Sequence, residues 1–229
     1  MSLWPFTTLH DDPVVRAYVS DTARRPRART PLADVRFVVI DAETTGFKVP
    51  QDRMLSLAAL PLQGGRAAVR DMRSWLIRQP APAVTDAVAV HGILPCETAR
   101  GTDERQVLYE LLPLLRGAVL VGHHVRFDAE MIHAALQRQF GAGLRNPLLD
   151  TAHLAMGTLE AFRKTGYANQ RPPSLEEVCA LCQIEAIERH TAVGDTFTTA
   201  EVFLLLLARL RHMVRNRPLR LGDLLPVRF

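Results

Sequence analysis

The sequence has few cysteines, few lysines and no long apolar segment. Three cysteines among 229 residues are too few, and odd in number, for a disulfide scaffold, which indicates a reducing cytoplasm. The apolar run at residues 202–208 ends at Arg209, well short of the roughly 20 residues that span a bilayer. Acidic residues interrupt the N-terminus before any apolar stretch, so no secretory signal is expected. These absences predict a cytoplasmic protein without a membrane partner.

The overall composition is typical of a globular protein. Hydrophobic residues make up 48% of the chain and mean hydropathy is +0.02, which is enough apolar material for one core and excludes disorder throughout. Only Lys48 and Lys164 are lysines, so the formal charge of +4 comes almost wholly from arginine. This mildly basic balance is compatible with binding a polyanion but is no evidence for it.

The chain divides into three parts. Residues 23–31 contain four arginines and two prolines without apolar periodicity, so residues 1–34 are predicted to be a basic arm or linker. A contact of this arm with nucleic acid is the alternative functional interpretation. Residues 35–213 carry all of the regular patterning and are predicted to form one domain, and residues 214–229 form a short tail.

The domain is predicted to be an α/β protein with a mixed five-stranded sheet. The apolar and alternating runs predict strands at residues 35–40, 54–60, 67–77, 118–121 and 147–150, the first three as an antiparallel meander. Helical patterns occupy residues 102–115, 127–139, 151–160, 174–183 and 194–212, and a short helix is expected within residues 12–21. Three strands followed by a strand–helix–strand unit and further helices indicate layers of helices against a sheet.

Two acids stand at the end of the first predicted strand. Asp41 and Glu43 are two residues apart, so both side chains project from the same face of the strand. Carboxylates this close repel each other unless a cation lies between them or one keeps its proton. Two solvated acids at a strand end are the alternative. Gly46, shortly afterwards, permits a sharp turn and a close approach of backbone to a ligand.

Two further acidic positions follow comparable strand–helix junctions. Asp128 comes shortly after the short apolar strand, near the start of a predicted helix, where helix capping alone also favours Asp. His190 lies in the loop before the last long helix, and Asp195 lies about one turn into that helix. Taken singly, each position also fits a structural role.

Together these residues resemble a known family. The segments Asp41-x-Glu43-Thr44-Thr45-Gly46, His123-His124-x-x-Phe127-Asp128 and His190-x-Ala192-x-x-Asp195-x-x-x-Thr199 resemble the DEDDh-type 3′–5′ exonucleases, the DnaQ-like group that includes proofreading epsilon subunits, ribonuclease T and oligoribonuclease. The resemblance covers about residues 35–210 and implies a ribonuclease H-like three-layer fold. His91-Gly92-Ile93 also resembles a segment of epsilon-like members. His124 stands where the family usually has Asn.

The chemistry that these residues favour is metal-assisted phosphodiester hydrolysis. Clustered carboxylates without cysteine ligands form a hard oxygen site that selects Mg²⁺ or Mn²⁺, and two such ions suit an in-line displacement. The resemblance implies that Asp41, Glu43 and Asp195 hold the metal carrying the nucleophilic water and that Asp128 acts through the second. It makes His190 the general base, and imidazole suits that role near neutral pH.

Other residues are expected to contact substrate or to pack in the core. Thr44, Thr45, Gly46 and Phe47 are candidates for holding the terminal nucleotide, Phe47 by stacking on a base, and His91 and His124 are further candidates, each with a structural alternative. The Cys179-x-x-Cys182 pair lies in a helical apolar pattern, so core packing is favoured over a redox or metal site. A zinc site at His123, His124 and Asp128 is disfavoured by the hard site nearby.

Three functions are compatible with these residues. The leading one is 3′–5′ removal of nucleoside 5′-monophosphates from single-stranded DNA ends, in proofreading or repair and with a DNA polymerase subunit as a candidate partner. The second is the same reaction on RNA ends or short oligoribonucleotides; the epsilon-like segments favour DNA. The third is a non-catalytic nucleic-acid-binding or scaffolding module, whose signature would be loss of an acid, yet all four acids and His190 are present.

Overall fold

The computed structural model describes residues 12–49, 51–79, 87–164 and 171–224. Its centre is a mixed sheet of six strands in which β3-β2-β1-β5-β6 lie side by side and β4 also pairs with β2. The strands are β1 Arg36–Thr44, β2 Met54–Gln63, β3 Arg66–Ala67, β4 Arg73–Leu76, β5 Val119–Gly122 and β6 Leu148–Asp150. Strand β2 runs antiparallel to β1, whereas β5 and β6 run parallel to it, so β1, β5 and β6 end at the same edge.

The predicted third strand is interrupted, which raises the strand count from five to six. Residues 67–77 form β3 and β4, separated by a 3₁₀ turn, Val69–Asp71. Both halves pair with β2, but the ladder between them is interrupted near Pro61. The Pro61 carbonyl accepts a hydrogen bond from the Ala68 N–H at 2.9 Å, while its ring nitrogen has no hydrogen to donate at that edge. The missing donor explains why the pairing stops there and resumes at Arg73.

The helices form a layer on each face of the sheet. They are α1 Pro13–Thr22, α2 Val88–His91, α3 Pro95–Thr98, α4 Glu104–Leu115, α5 Arg126–Phe140, α6 Thr151–Thr158, α7 Glu160–Lys164, α8 Leu175–Cys182 and α9 Ala192–Met213. Strand β1 is buried on both faces, because Phe37 and Val39 pack with α6, α8 and α9, whereas Val38 and Ile40 pack with α1, α4 and α5. The five main helices predicted from periodicity are therefore confirmed within a few residues. Among the described residues, no helix combines the length and the apolar character needed to cross a membrane.

The described part of the predicted N-terminal arm packs onto the domain rather than extending from it. Asp12 caps α1 by accepting from the N–H of Val14 at 2.9 Å, which starts the helix that was expected here. Tyr18 is fully buried, donates to Asn146 Oδ1 at 2.6 Å and accepts from the Arg145 N–H at 2.8 Å. The sequence did not predict that α1 packs on the domain, because the apolar face of this helix consists of only a few residues. Residues 23–29 stay largely exposed, as the arginine-rich composition predicts.

The described part of the C-terminal tail also folds back. Residues near Arg220 form an isolated bridge with Pro31, and the Leu221 N–H donates to the Thr30 carbonyl at 2.9 Å. Leu221 and Leu224 are buried in the core under α9. The tail predicted at residues 214–229 is thus attached through residue 224, and residues 225–229 lie outside the described residues.

Candidate active site

Strand β1 delivers two carboxylates to the edge where the parallel strands end. Asp41 and Glu43 project together as expected, and the register with β2 shifts between Glu43 and Thr44, which forms a bulge directly after the pair. Helix α9 brings a third carboxylate from the opposite end of the sequence. One oxygen each of Asp41, Glu43 and Asp195 lies within 4.8 Å of the others. Among the described residues, this is the only group of His, Cys, Asp or Glu that comes together closely enough for a metal.

The fourth acid, Asp128, lies against the same stretch of β1. It is buried in the first turn of α5, and its Oδ1 accepts from the Ala42 N–H at 3.1 Å. Side chains alternate along β1, so Ala42 lies on the face that packs against α5, whereas Asp41 and Glu43 on either side of it point to the opposite face. The structure therefore brings together all four acids that the sequence singled out.

The electrostatics of these acids are those of a site built for cations. Burial, and then the charge of Asp128, raises the pKa of Asp41 well above its ordinary value. Burial also raises the pKa of Asp128 to about 8, and burial together with Asp195 raises that of Glu43 to about 7. Such shifts mean that the protein alone does not satisfy the negative charge. Because the donors are carboxylate oxygens without thiolate or imidazole, they fit Mg²⁺ or Mn²⁺.

The loop before α9 positions Asp195 through two donors. The backbone N–H of His190 donates to Asp195 Oδ2 at 3.2 Å, and the guanidinium of Arg189 bridges Asp195 and Glu176 of α8. The approach is tight, because a Cβ on Gly194 would lie 2.2 Å from the Ile187 carbonyl oxygen, so this turn needs glycine. The sequence did not predict the contact of Arg189 with the acids, and its place next to His190 was the only available signal.

His190 lies at the rim of the site rather than among its ligands. Its backbone adopts the left-handed conformation, with φ of 62°, and its side chain is exposed. The ring is not part of the acidic group. The contact of His190 with the acids that the structure shows is made by its backbone N–H, which donates to Asp195.

The loop after Glu43 is held by its own side chains. Thr44 donates to the Gly46 carbonyl at 2.8 Å, and Thr45 donates to Asp52 Oδ1 at 2.8 Å. A Cβ on Gly46 would lie 2.8 Å from Asp52 Oδ2, so a larger residue would displace the carboxylate that holds the loop. Both threonine hydroxyls are therefore engaged within the loop. Asp52 is its anchor, although no local pattern in the sequence marks that residue.

Phe47, in the same loop, is largely exposed to solvent. Its side chain is 85% exposed, and its ring centroid lies 5.6 Å from that of Phe127 at the start of α5. Exposing an aromatic ring costs hydrophobic free energy that a partner can recover. The pair forms an aromatic platform, defined here as Phe47 and Phe127, beside the acids.

The histidine candidates take different positions. His91 is buried, its Nδ1 accepts from the Ile93 N–H at 3.0 Å, and burial lowers its pKa while the Thr44 backbone opposes that shift. His124 is exposed in the left-handed conformation, with φ of 58°, and its N–H donates to Asp150 Oδ1 at 3.0 Å. Asn and His both tolerate this conformation better than most residues, which accounts for His at the family's Asn position.

The geometry does not support the disfavoured metal and redox interpretations. The His123 ring is engaged on both nitrogens, by Thr151 Oγ1 and the Pro173 carbonyl, each at 2.9 Å. Cys179 and Cys182 are buried among core side chains, and burial raises the pKa of both thiols. All three cysteines are free.

Comparison with known proteins places these features in a family. The exonuclease family of RNase T type matches residues 38–203. The chain is 34% identical over 188 residues to a DNA polymerase III subunit epsilon-like protein of Rhodobacter capsulatus, covering 80% of this chain and 25% of that protein. It is 30% identical over 185 residues to the DNA polymerase III subunit epsilon of Aquifex aeolicus, covering 80% and 86%. Other relatives are much longer than this chain. It spans a quarter or less of several of them, such as the PolC-type DNA polymerase III of Thermotoga maritima, of which it covers 13%.

Solved structures agree on the fold. Escherichia coli exonuclease I, solved with a dT13 oligonucleotide, superposes with a TM-score of 0.64 at 20% identity and covers 79% of this chain and 43% of that one. This likeness confirms the expected ribonuclease H-like fold, with six strands in the sheet. Since residues 38–203 include most of β1, all of β5 and α5 and about the first half of α9, the family match contains all four acids and His190. The chain belongs to the exonuclease family.

Proposed function

We propose that this protein is a 3′–5′ exonuclease that uses two Mg²⁺ or Mn²⁺ ions to release nucleoside 5′-monophosphates from DNA ends. The observation that carries the proposal is the convergence of Asp41, Glu43 and Asp195 within 4.8 Å, with Asp128 buried against the same strand. No arrangement of protein donors among the described residues compensates their charge fully, as the raised pKa values of three of the four acids indicate. A retained acidic site argues against the non-catalytic scaffolding alternative.

Each residue has a distinct task in this proposal. Asp41, Glu43 and Asp195 would hold one ion, with Asp41 shared, and Asp128 would hold the second through its free oxygen and waters. Bound divalent ions activate water and stabilise a leaving oxygen in phosphodiester hydrolysis. The imidazole of His190, an exposed residue whose backbone N–H holds Asp195, would accept the proton of the attacking water and pass it to solvent.

The substrate end is placed on the loop after β1. The platform of Phe47 and Phe127 stacks on the terminal base, a contact that every base can make. The backbone of Thr44, Thr45 and Gly46 faces the sugar and phosphate, while the threonine hydroxyls keep the loop in shape. His91, which is buried near the Thr44 backbone, and the exposed His124 are further candidates for contacting the substrate.

The polymer is assigned to single-stranded DNA rather than RNA. Relatives named as polymerase III epsilon subunits favour DNA and a polymerase-associated proofreading or repair role, and the exonuclease I neighbour was solved with a DNA strand. A cytoplasmic location agrees with three free cysteines. Action on RNA ends is the second candidate, because no described residue that we place at the terminal sugar excludes a 2′-hydroxyl.

The decisive experiment compares acid variants on labelled single strands. Asp41→Ala and Asp195→Ala should each abolish Mg²⁺-dependent release of 5′-monophosphates, whereas Asp71→Ala, which removes an exposed acid on the distant 3₁₀ turn, should leave it unchanged. More than a few per cent residual activity in either acid variant would refute the assignment. His190→Ala should lower turnover while Mn²⁺ affinity, measured by calorimetry, stays near wild type. Matched DNA and RNA oligonucleotides, digested side by side, decide between the two polymers.

A further inference from the structure

A cavity lies along α5, next to the segment that carries Asp128. It has a volume of about 460 Å³ and is bordered by α5, by residues 144–153 and by the exposed segment after α1. Its floor is apolar, with Val125, Leu144 and Leu148, and its rim carries Arg25, Arg126 and Arg145. We call this cavity, defined by those six residues, the arginine cleft. No residue of it belongs to the acidic group or to the aromatic platform.

The arginine cleft starts at the end of the sheet that carries the acids, with Val125 and Arg126, and extends along α5 to Arg145, which comes before β6. Arg126 directly precedes Phe127 of the aromatic platform and lies two residues before Asp128, so the cleft begins where the platform ends. At its other wall is Asp150, whose Oδ1 accepts from the His124 N–H at 3.0 Å. A strand whose last base lies on Phe47 and Phe127 can continue from there directly into the cleft.

Three guanidinium groups and two carboxylates, those of Glu130 and Asp150, line this cavity. Arg126 is paired with Glu130 at 2.8 Å, and Asp150 is engaged by backbone N–H groups and by His153 at 3.5 Å. Arg25 and Arg145, in contrast, are exposed, and neither forms an ion pair with a carboxylate of the described residues. Two unpaired guanidinium groups over an apolar floor match the two parts of a nucleotide, because phosphate pairs with arginine and a base face packs on apolar surface.

We propose that the arginine cleft binds the nucleotides on the 5′ side of the terminal one in a single-stranded substrate. This inference rests on the proposed function and extends it, since it assigns the path of the strand and a role for the basic segment at residues 23–31. Arg25 and Arg145 hold backbone phosphates, and one base lies on Val125, Leu144 and Leu148. The contact is independent of sequence and depends on salt.

The test compares substrate lengths in a charge-reversed variant. The double variant Arg25→Glu with Arg145→Glu is matched by Arg66→Glu with Arg70→Glu, which makes the same charge change at the far edge of the sheet. With dT6, the cleft variant should show KM raised at least about tenfold with kcat unchanged. The slope of log affinity against log salt concentration should become shallower by about 1.4, as expected for two lost phosphate contacts on a single strand. The dinucleotide dT2, too short to enter the cleft, should be hydrolysed as by wild type. The milder pair Arg25→Gln with Arg145→Gln should show a smaller loss of the same kind.

Binding of labelled dT6 in EDTA, followed by fluorescence anisotropy, separates this inference from the proposed function. If wild type and the far-edge variant bind dT6, the cleft variant does not, and wild type hydrolyses nothing, the proposed function fails and the cleft stands. If wild type hydrolyses dT6 and the cleft variant binds it as tightly as the far-edge variant does, the cleft proposal is overturned. Equal loss on dT2 and dT6 also overturns it, as does competition by hexaglutamate as strong as that by unlabelled dT6, which would indicate an acidic peptide as the ligand.

Discussion

Replacing Asp128 with Asn tests how much the buried acid lowers the stability of the metal-free protein, separately from its role in metal binding. Asn keeps the volume of the side chain, and its carbonyl oxygen can still accept from the Ala42 N–H, which now lies 3.1 Å from Asp128 Oδ1. What changes is the ionisable proton. Burial raises the pKa of Asp128 from 3.8 to about 8, and every tenfold gain in proton affinity corresponds to about 1.4 kcal/mol.

The sign and the pH range follow from the raised pKa. A folded-state pKa above the unfolded one means that the folded protein binds the proton more tightly, so the contribution to stability is full below pH 3.8 and falls as pH rises toward 8. At pH 7 the unfolded chain has released this proton, whereas the folded chain has kept it. Asp128→Asn should therefore stabilise the metal-free protein by up to about 4 kcal/mol at pH 7 and by about 2 kcal/mol at pH 5.

Urea denaturation in EDTA at both pH values measures this difference, with Asp71→Asn as the control for an exposed acid. Adding Mn²⁺ should make wild type the more stable of the two proteins. An ion that binds only the folded state stabilises that state, and Asp128→Asn has lost one of the ligands that would bind it. A stability of Asp128→Asn below that of wild type in EDTA at pH 7 would refute this expectation. An equal gain at pH 5 and pH 7 would refute it as well.

Three further substitutions test other contacts. Phe47→Ala should weaken single-stranded DNA binding by about 1–3 kcal/mol in a titration while leaving the unfolding midpoint unchanged, because the ring is 85% exposed; an unchanged affinity would remove it from the substrate site. Tyr18→Phe should cost about 1–3 kcal/mol of unfolding free energy, since Asn146 Oδ1 and the Arg145 N–H lose their buried partner; an unchanged free energy of unfolding would show that these two hydrogen bonds add nothing to stability. Arg189→Ala should lower the stability of the metal-free protein and raise its Mn²⁺ affinity in calorimetry, because a competing cation leaves Asp195; weaker Mn²⁺ binding would contradict this.

The four acids could be found from sequence because local geometry places each of them. Asp41 and Glu43 are brought to one face by strand alternation alone, and Asp195 by its position one turn into a strongly patterned helix. Strands β1 and β5 are parallel and end at one edge, which brings Asp128 at the start of α5 to the acids of β1, whereas the place of α9 beside them was implied by the family resemblance. Residue type and spacing carry this part of the prediction.

The contacts that the sequence did not predict depend on partners far away along the chain. Nothing near Arg189 reveals that its guanidinium bridges Asp195 and Glu176, and nothing near Tyr18 points to Asn146, 128 residues away. The interruption of the third strand depends on a proline in its neighbour, Pro61. Such features are properties of pairs of segments, and single-segment patterns do not contain them.

The bridge between Pro31 and Arg220 has a consequence for how this domain can be joined to others. Strand β1 begins five residues after Pro31 and runs toward the acids, so residues 31 and 220 meet near the start of β1, at the opposite end of that strand from Asp41 and Glu43. The segment between residues 31 and 220 therefore starts and ends at one place, an arrangement that suits insertion into a larger polypeptide without opening the sheet. Relatives of which the chain covers only a quarter or less are compatible with such modular use.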